Sequence, residues 1–141
     1  MWAAVRPGGF LVVEDADFNG LFCHPPCEAF DFYAEKYSAV LRSQGGDPGM
    51  GRKVYRLFLD AGIPAPQVKL VQRGETAEVG KSMAPWTLAA TADAVVAQNL
   101  ATRADIDAAL TQLRTYASDP STLVGDPRLF QVWAHRSRAG T

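Results

Sequence analysis

Arg6 to Phe18 reads RPGGFLVVEDADF, a Gly-rich turn that runs into an apolar segment and ends in Glu14, Asp15 and Asp17. Phe10, Leu11, Val12 and Val13 are apolar on consecutive positions instead of alternating, the pattern of a strand covered on both faces. Parallel strands inside an α/β sheet have this character, so the stretch predicts that fold class. The acids stand where such a strand ends.

Outward from this strand, Gly20, Pro25 and Pro26 mark 19–26 as loop. Phe30, Tyr33, Ala34, Tyr37, Val40 and Leu41 then recur at helical spacing and predict a helix over 27–44. The segment QGGDPG interrupts it. A second helix resumes near Met50 with Val54, Leu57, Phe58 and Ala61 on one face, and Gly62 followed by Pro64 stops it. Gln67 to Arg73 predicts a strand, and Glu75 to Pro85 a polar loop. A helix over 85–100 places Pro85 in its first turn, where its missing N–H costs nothing. Thr102 caps the next helix, with Asp105 favouring the positive end of its dipole, and Ile106, Ala109, Leu110, Leu113 and Ala117 form its buried stripe. The loop 119–127 leads into a last strand, LFQVWAHR, in which Phe130, Val132 and Ala134 share a face.

The chain has 141 residues, 48% apolar and 21% charged, about one domain's worth. A net charge of −1 with scattered Lys and Arg offers no field for a polyanion, so no nucleic-acid partner is expected. No apolar run reaches the roughly 20 residues that cross a bilayer, and MWAAVRPGG carries no signal-peptide pattern, so no membrane partner and a cytoplasmic location are expected. Cys23 and Cys27 are too few for a disulfide framework.

RPGG before an acid-ended strand, GRKVYRLFLDAGI before another strand, and the final LFQVWAHR, in that order, resemble the C-terminal half of a class I methyltransferase that uses S-adenosylmethionine. The resemblance implies a partial doubly wound sheet of about three strands, ordered first, last and middle strand of the chain, with helices on both faces. Met1 to Ala4 would be the tail of the preceding helix. The helices between Pro85 and Asp119 would be a substrate-side insertion, the whole chain forming one domain. It also implies S-adenosylmethionine as cofactor and a small-molecule acceptor. The Gly-rich GxGxG turn and the ribose-binding acid of that family are not in the sequence, which corresponds to the fold without its first half.

In a doubly wound sheet ligands gather beyond the carboxyl ends of the strands, so Asp15, and after it Asp17 and Glu14, are candidates to hold the acceptor or take its proton. Capping of the next turn, or pairing with an arginine, is the other role such acids serve. Phe18 follows them as a candidate substrate contact. His24 lies just past the expected cleft and titrates near neutrality, a candidate base. Cys23, His24 and Cys27 could give three metal ligands, but no second cluster supplies a fourth, and a loop with a buried thiol is the alternative. Tyr33 and Tyr37, with Phe30, either line an acceptor pocket or form a core stripe, and Trp86 could close over a substrate. Arg52 and Lys53 are cations at a helix start. Finally, with no preceding strand, Phe10 to Glu14 is an apolar sheet edge. Two copies pairing these edges would make a homodimer with a six-stranded sheet. A catalytically silent binding or dimerisation module is therefore the alternative to a methyltransferase half.

Overall fold

In a computed structural model of the chain, residues 1–138 are described. A 3₁₀ turn at Trp2–Ala4 precedes β1 (Phe10–Asp17), and a second at Phe18–Gly20 leads to β2 (Phe22–His24). Then come α1 (Glu28–Ser43), α2 (Met50–Asp60), β3 (Gln67–Val71) and β4 (Gly74–Glu75). The short α3 (Glu78–Lys81), α4 (Met83–Ala97), α5 (Arg103–Ser118), β5 (Leu123–Gly125) and β6 (Arg128–His135) complete the chain.

Local chemistry sets the helix ends. In α5 the Thr102 hydroxyl accepts from the Asp105 N–H while Asp105 accepts from the Thr102 N–H, a complete capping box. At the end of α2, Gly62 turns to φ +70°, Ile63 N–H donates to Phe58 O, and Gly62 N–H donates to Leu59 O, which satisfies the last carbonyls. α4 ends the same way with Asn99 at φ 54°. Pro85 lies in the first turn of α4. The segment expected as a polar loop over 75–85 instead contains β4 and α3, and α4 starts two residues before Pro85.

β1, β6 and β3 form one sheet in that order, with β6 antiparallel to both neighbours. β1 and β3 are therefore parallel to each other, and the last strand of the chain lies in the middle. A second sheet was not expected: β2, β5 and β4 pair antiparallel within segments that the sequence marks as loops. Strands of two or three residues are too short to show a period. Gly125 on β5 leaves room for the Phe22 ring, which would lie 2.0 Å from a Cβ there.

Two cores result. Val54, Phe58 and Ile63 pack on Val132 and Ala134 of the sheet, joined by Leu11 and Val13. A larger core unites α1, α4 and α5 through Phe30, Tyr33, Leu88, Val95, Ile106 and Leu113, with Val124 of β5. The expectation of helices on both sheet faces is corrected by this arrangement. Among the described residues α2 is the helix that packs on β1 and β6, and on the opposite face Phe10 and Val12 are each 62% exposed beside His135 and Trp133. The four consecutive apolar residues of β1 thus alternate between a core face and an open one. Val68 and Leu70, on the core face of β3, also stay exposed, being beyond the reach of α2.

Candidate functional site

A cavity of about 490 Å³ opens between one end of the main sheet and the helical core, within the range of small-molecule sites. Its floor comes from residues at one end of the main sheet: Phe18 just after β1, Arg73 just after β3, and Asp126 and Leu129 at the start of the antiparallel β6. These positions share the carboxyl ends of the two parallel strands, where ligands of open α/β sheets bind. The walls come from the helical layer, Tyr33 and Tyr37 of α1 and Met83, Trp86 and Thr87 of α4.

The aromatic wall is ordered by ring contacts. Phe18 and Tyr37 lie 5.0 Å apart, Tyr33 and Tyr37 stack at 6.2 Å, and Phe30 meets Tyr33 edge-on at 5.7 Å. Both readings of this stripe are realised, since Phe30 and Tyr33 are buried in the helical core and also line the cavity. Burial pushes the Tyr33 phenol up to about 12, with the charges of Tyr37 and Asp126 adding to the effect against a hydrogen bond with Thr87. Val79, Met83 and Trp86 stand at the rim with their apolar side chains exposed.

The charged groups of the cavity are Arg73, Glu75 and Asp126. Arg73 Nη2 pairs with Glu75 Oε1 at 2.5 Å, and the Glu75 side chain is largely buried. The other Glu75 oxygen lies against Gly80 of α3, where any Cβ would stand 2.2 Å from it. Asp126 is anchored by its main chain, its N–H donating to Arg73 O at 2.9 Å. Burial raises the Asp126 carboxyl above its ordinary value, and Glu75 raises it further against the pull of Arg73.

Of the residues singled out by sequence, Phe18, Tyr33, Tyr37 and Trp86 come together here. The acids of β1 do not line the cavity. Asp17 is 0% exposed: Oδ2 accepts from Arg52 Nε (2.8 Å) and Nη2 (2.5 Å), and Oδ1 accepts from Asn19 N–H and Nδ2. Burial alone would raise its carboxyl, but these bonds prevail and hold it below the usual range. Asp17 is thus engaged as turn cap and arginine partner, the other role that the sequence leaves open for such acids. Asp15 accepts from the Ala16 N–H at 2.7 Å on the α2 face, and Glu14 accepts from Gln131 on the open face. His24 is exposed on β2 and lines no part of the cavity. Among the described residues no three His, Cys, Asp or Glu side chains converge as metal ligands. Cys23 has its thiol pushed up by burial, and both cysteines are free. Among those residues, too, no helix is long and apolar enough to cross a membrane.

Sequence reading missed Asp126, Glu75 and Arg73. Arg73 carries a signal, as the last residue of the strand expected over Gln67 to Arg73 and so at a carboxyl end like that of β1, whereas Glu75 and Asp126 fall in segments that read as loop.

The chain's other Gly-rich turn, QGGDPGMG before α2, does not fit S-adenosylmethionine. Gly51 lies against the main chain of β1, where a Cβ would be 2.7 Å from Asp15 O, and Gly49 N–H donates to Asp47. Arg52 is held by Asp17, and Lys53 pairs with Asp47. This helix start is occupied by packing and internal ion pairs. No protein-family model matches the chain, and no curated protein matches it.

Proposed function

We propose that this chain is the acceptor-binding half of a class I S-adenosylmethionine-dependent methyltransferase, with the cavity between sheet and helices as the acceptor site. The observation that carries the reading is the placement of that cavity beyond the carboxyl ends of β1 and β3, in a sheet ordered β1-β6-β3 with an antiparallel middle strand. In this reading the methyl donor is not held at the start of α2, whose Gly-rich turn is filled by packing and internal ion pairs. What the chain contributes is enclosure and orientation. Phe18, Tyr37 and Trp86 exclude water from an apolar ligand, and Thr87 and Asp126 offer polar groups that fix its direction.

Thermal unfolding with S-adenosylhomocysteine tests the division. A ligand at about 100 times its dissociation constant adds roughly 2.7 kcal/mol to the folded state, a visible rise in Tm. The expected result is no rise for this chain alone. A rise with the chain alone would place a donor site within these residues and overturn the reading.

The open sheet edge favours a second reading, a module that dimerises. Among the described residues β1 pairs with β6 alone, and its Phe10 and Val12 are the exposed apolar surface expected of a strand that adds to another. Two chains pairing β1 across a two-fold axis would give a continuous six-stranded sheet. Light scattering decides it: a dimer lost on substituting Val12→Lys supports the module, and a monomer at moderate concentration removes it.

A further inference from the structure

The chemistry of the cavity wall narrows what it can hold. Arg73 is neutralised by Glu75 at 2.5 Å, which leaves the Asp126 carboxylate as the uncompensated charge of the lining. Glu75 and Arg73 are the charges that act on Asp126. The nearby buried Lys81 of α3 is spent elsewhere, its Nζ donating to Asp119 O at 2.5 Å and Thr122 Oγ1 at 2.8 Å. Among the described residues no side chain donates a hydrogen bond to the Asp126 carboxylate.

Aromatic side chains line the same cavity as this acid. Tyr33 feels the Asp126 charge, and Tyr37 stacks on Tyr33 while meeting Phe18. Ring faces carry negative electrostatic potential and attract cations. Val79, Met83 and Trp86 leave a rim of apolar surface in water, and covering that surface is a gain open to a flat apolar ligand.

We propose that the cavity binds a flat, largely apolar aromatic molecule bearing a cationic amine, with Asp126 as the counter-ion and the Phe18, Tyr33, Tyr37 and Trp86 rings as the apolar enclosure. Asp126 is then a specificity-determining residue. Its charge sits where burial and Glu75 both disfavour it, a cost that a bound cation relieves. Calling the ligand a methyl acceptor rests on the preceding reading; its chemical class rests on the cavity alone.

The test is calorimetric titration of the chain with three probes that share a naphthalene ring: 2-naphthylmethylamine, 2-naphthylmethanol and 2-naphthoate. The expected order is amine, then alcohol, then carboxylate, with at least about tenfold between the first and last (about 1.4 kcal/mol). Asp126→Asn is expected to weaken the amine by about tenfold while leaving the alcohol within about twofold. The wild-type order is decisive even if that variant fails to fold. A carboxylate that binds as well as the amine overturns the assignment of Asp126 and leaves the cavity standing as an acceptor site. No binding by any of the three overturns both.

Discussion

Deleting the Arg52 side chain is expected to weaken the whole fold, although Arg52 lies outside the cavity. Its guanidinium supplies two of the four hydrogen bonds that reach the Asp17 carboxylate, which is fully removed from solvent. Removing one partner of a fully buried pair costs about 3–5 kcal/mol, since a charge is left without compensation. The Arg52 side chain is 51% exposed, so water enters the vacated position and the expected cost of Arg52→Ala at pH 7 falls to about 2–3 kcal/mol. At about 3–4 °C per kcal/mol for a chain of this size, Tm drops by about 6–12 °C. The pH dependence has a fixed sign. Asp17 has a folded-state pKa below its ordinary 3.8, so its stabilisation is full above that value and is lost as pH falls through the folded pKa. Urea unfolding at pH 7 and pH 3 measures both: the penalty is full at pH 7 and smaller at pH 3, where the carboxyl of the unfolded chain takes up its proton. In an Asp17→Asn background the same deletion costs little. A penalty below about 0.5 kcal/mol at pH 7, or an equal penalty at both pH values, refutes the reasoning.

Three further outcomes follow from named contacts. Gly51→Ala puts a Cβ 2.7 Å from Asp15 O and 2.9 Å from the Ala16 carbonyl carbon; because the obstacle is main chain, a loss of about 2–3 kcal/mol in urea unfolding is expected. Lys81→Met removes the ammonium that satisfies Asp119 O and Thr122, and orphaning these acceptors costs about 1–3 kcal/mol by the same assay. Asp126→Asn acts in the opposite direction. Its carboxyl is raised in the folded state, so ionisation opposes folding, and without ligand the variant should be more stable than the parent at pH 7 and equal to it below pH about 3.8, as scanning calorimetry would show.

Elements with a strong period or cap were legible. The stripe from Ile106 to Ala117 and the Thr102 cap define α5, and the resemblance supplied the order of the main sheet, with LFQVWAHR in its middle. The second sheet was not legible, because pairings such as Cys23 with Val124 are made by segments of two or three residues in Gly- and Pro-rich surroundings. The open face of β1 was hidden by its composition: consecutive apolar residues look the same whether or not a neighbour covers the second face. Half of the candidate site could be read, because Tyr33, Tyr37 and Trp86 are helical aromatics whose spacing brings them to one side. Asp126 could not, since an acid between Gly125 and Pro127 carries the signature of a turn, and only the folded chain shows it beside Glu75 and Tyr33.

Amide chemical-shift mapping by ¹⁵N NMR, with 2-naphthylmethylamine and S-adenosylhomocysteine added separately, tests most directly the claim that this chain holds an acceptor and not the methyl donor. The expected result is shifts confined to residues around Phe18, Tyr33, Trp86 and Asp126 on adding the amine, and none on adding S-adenosylhomocysteine. Shifts caused by S-adenosylhomocysteine at the start of α2 or in the cavity, with the amine silent, would contradict it.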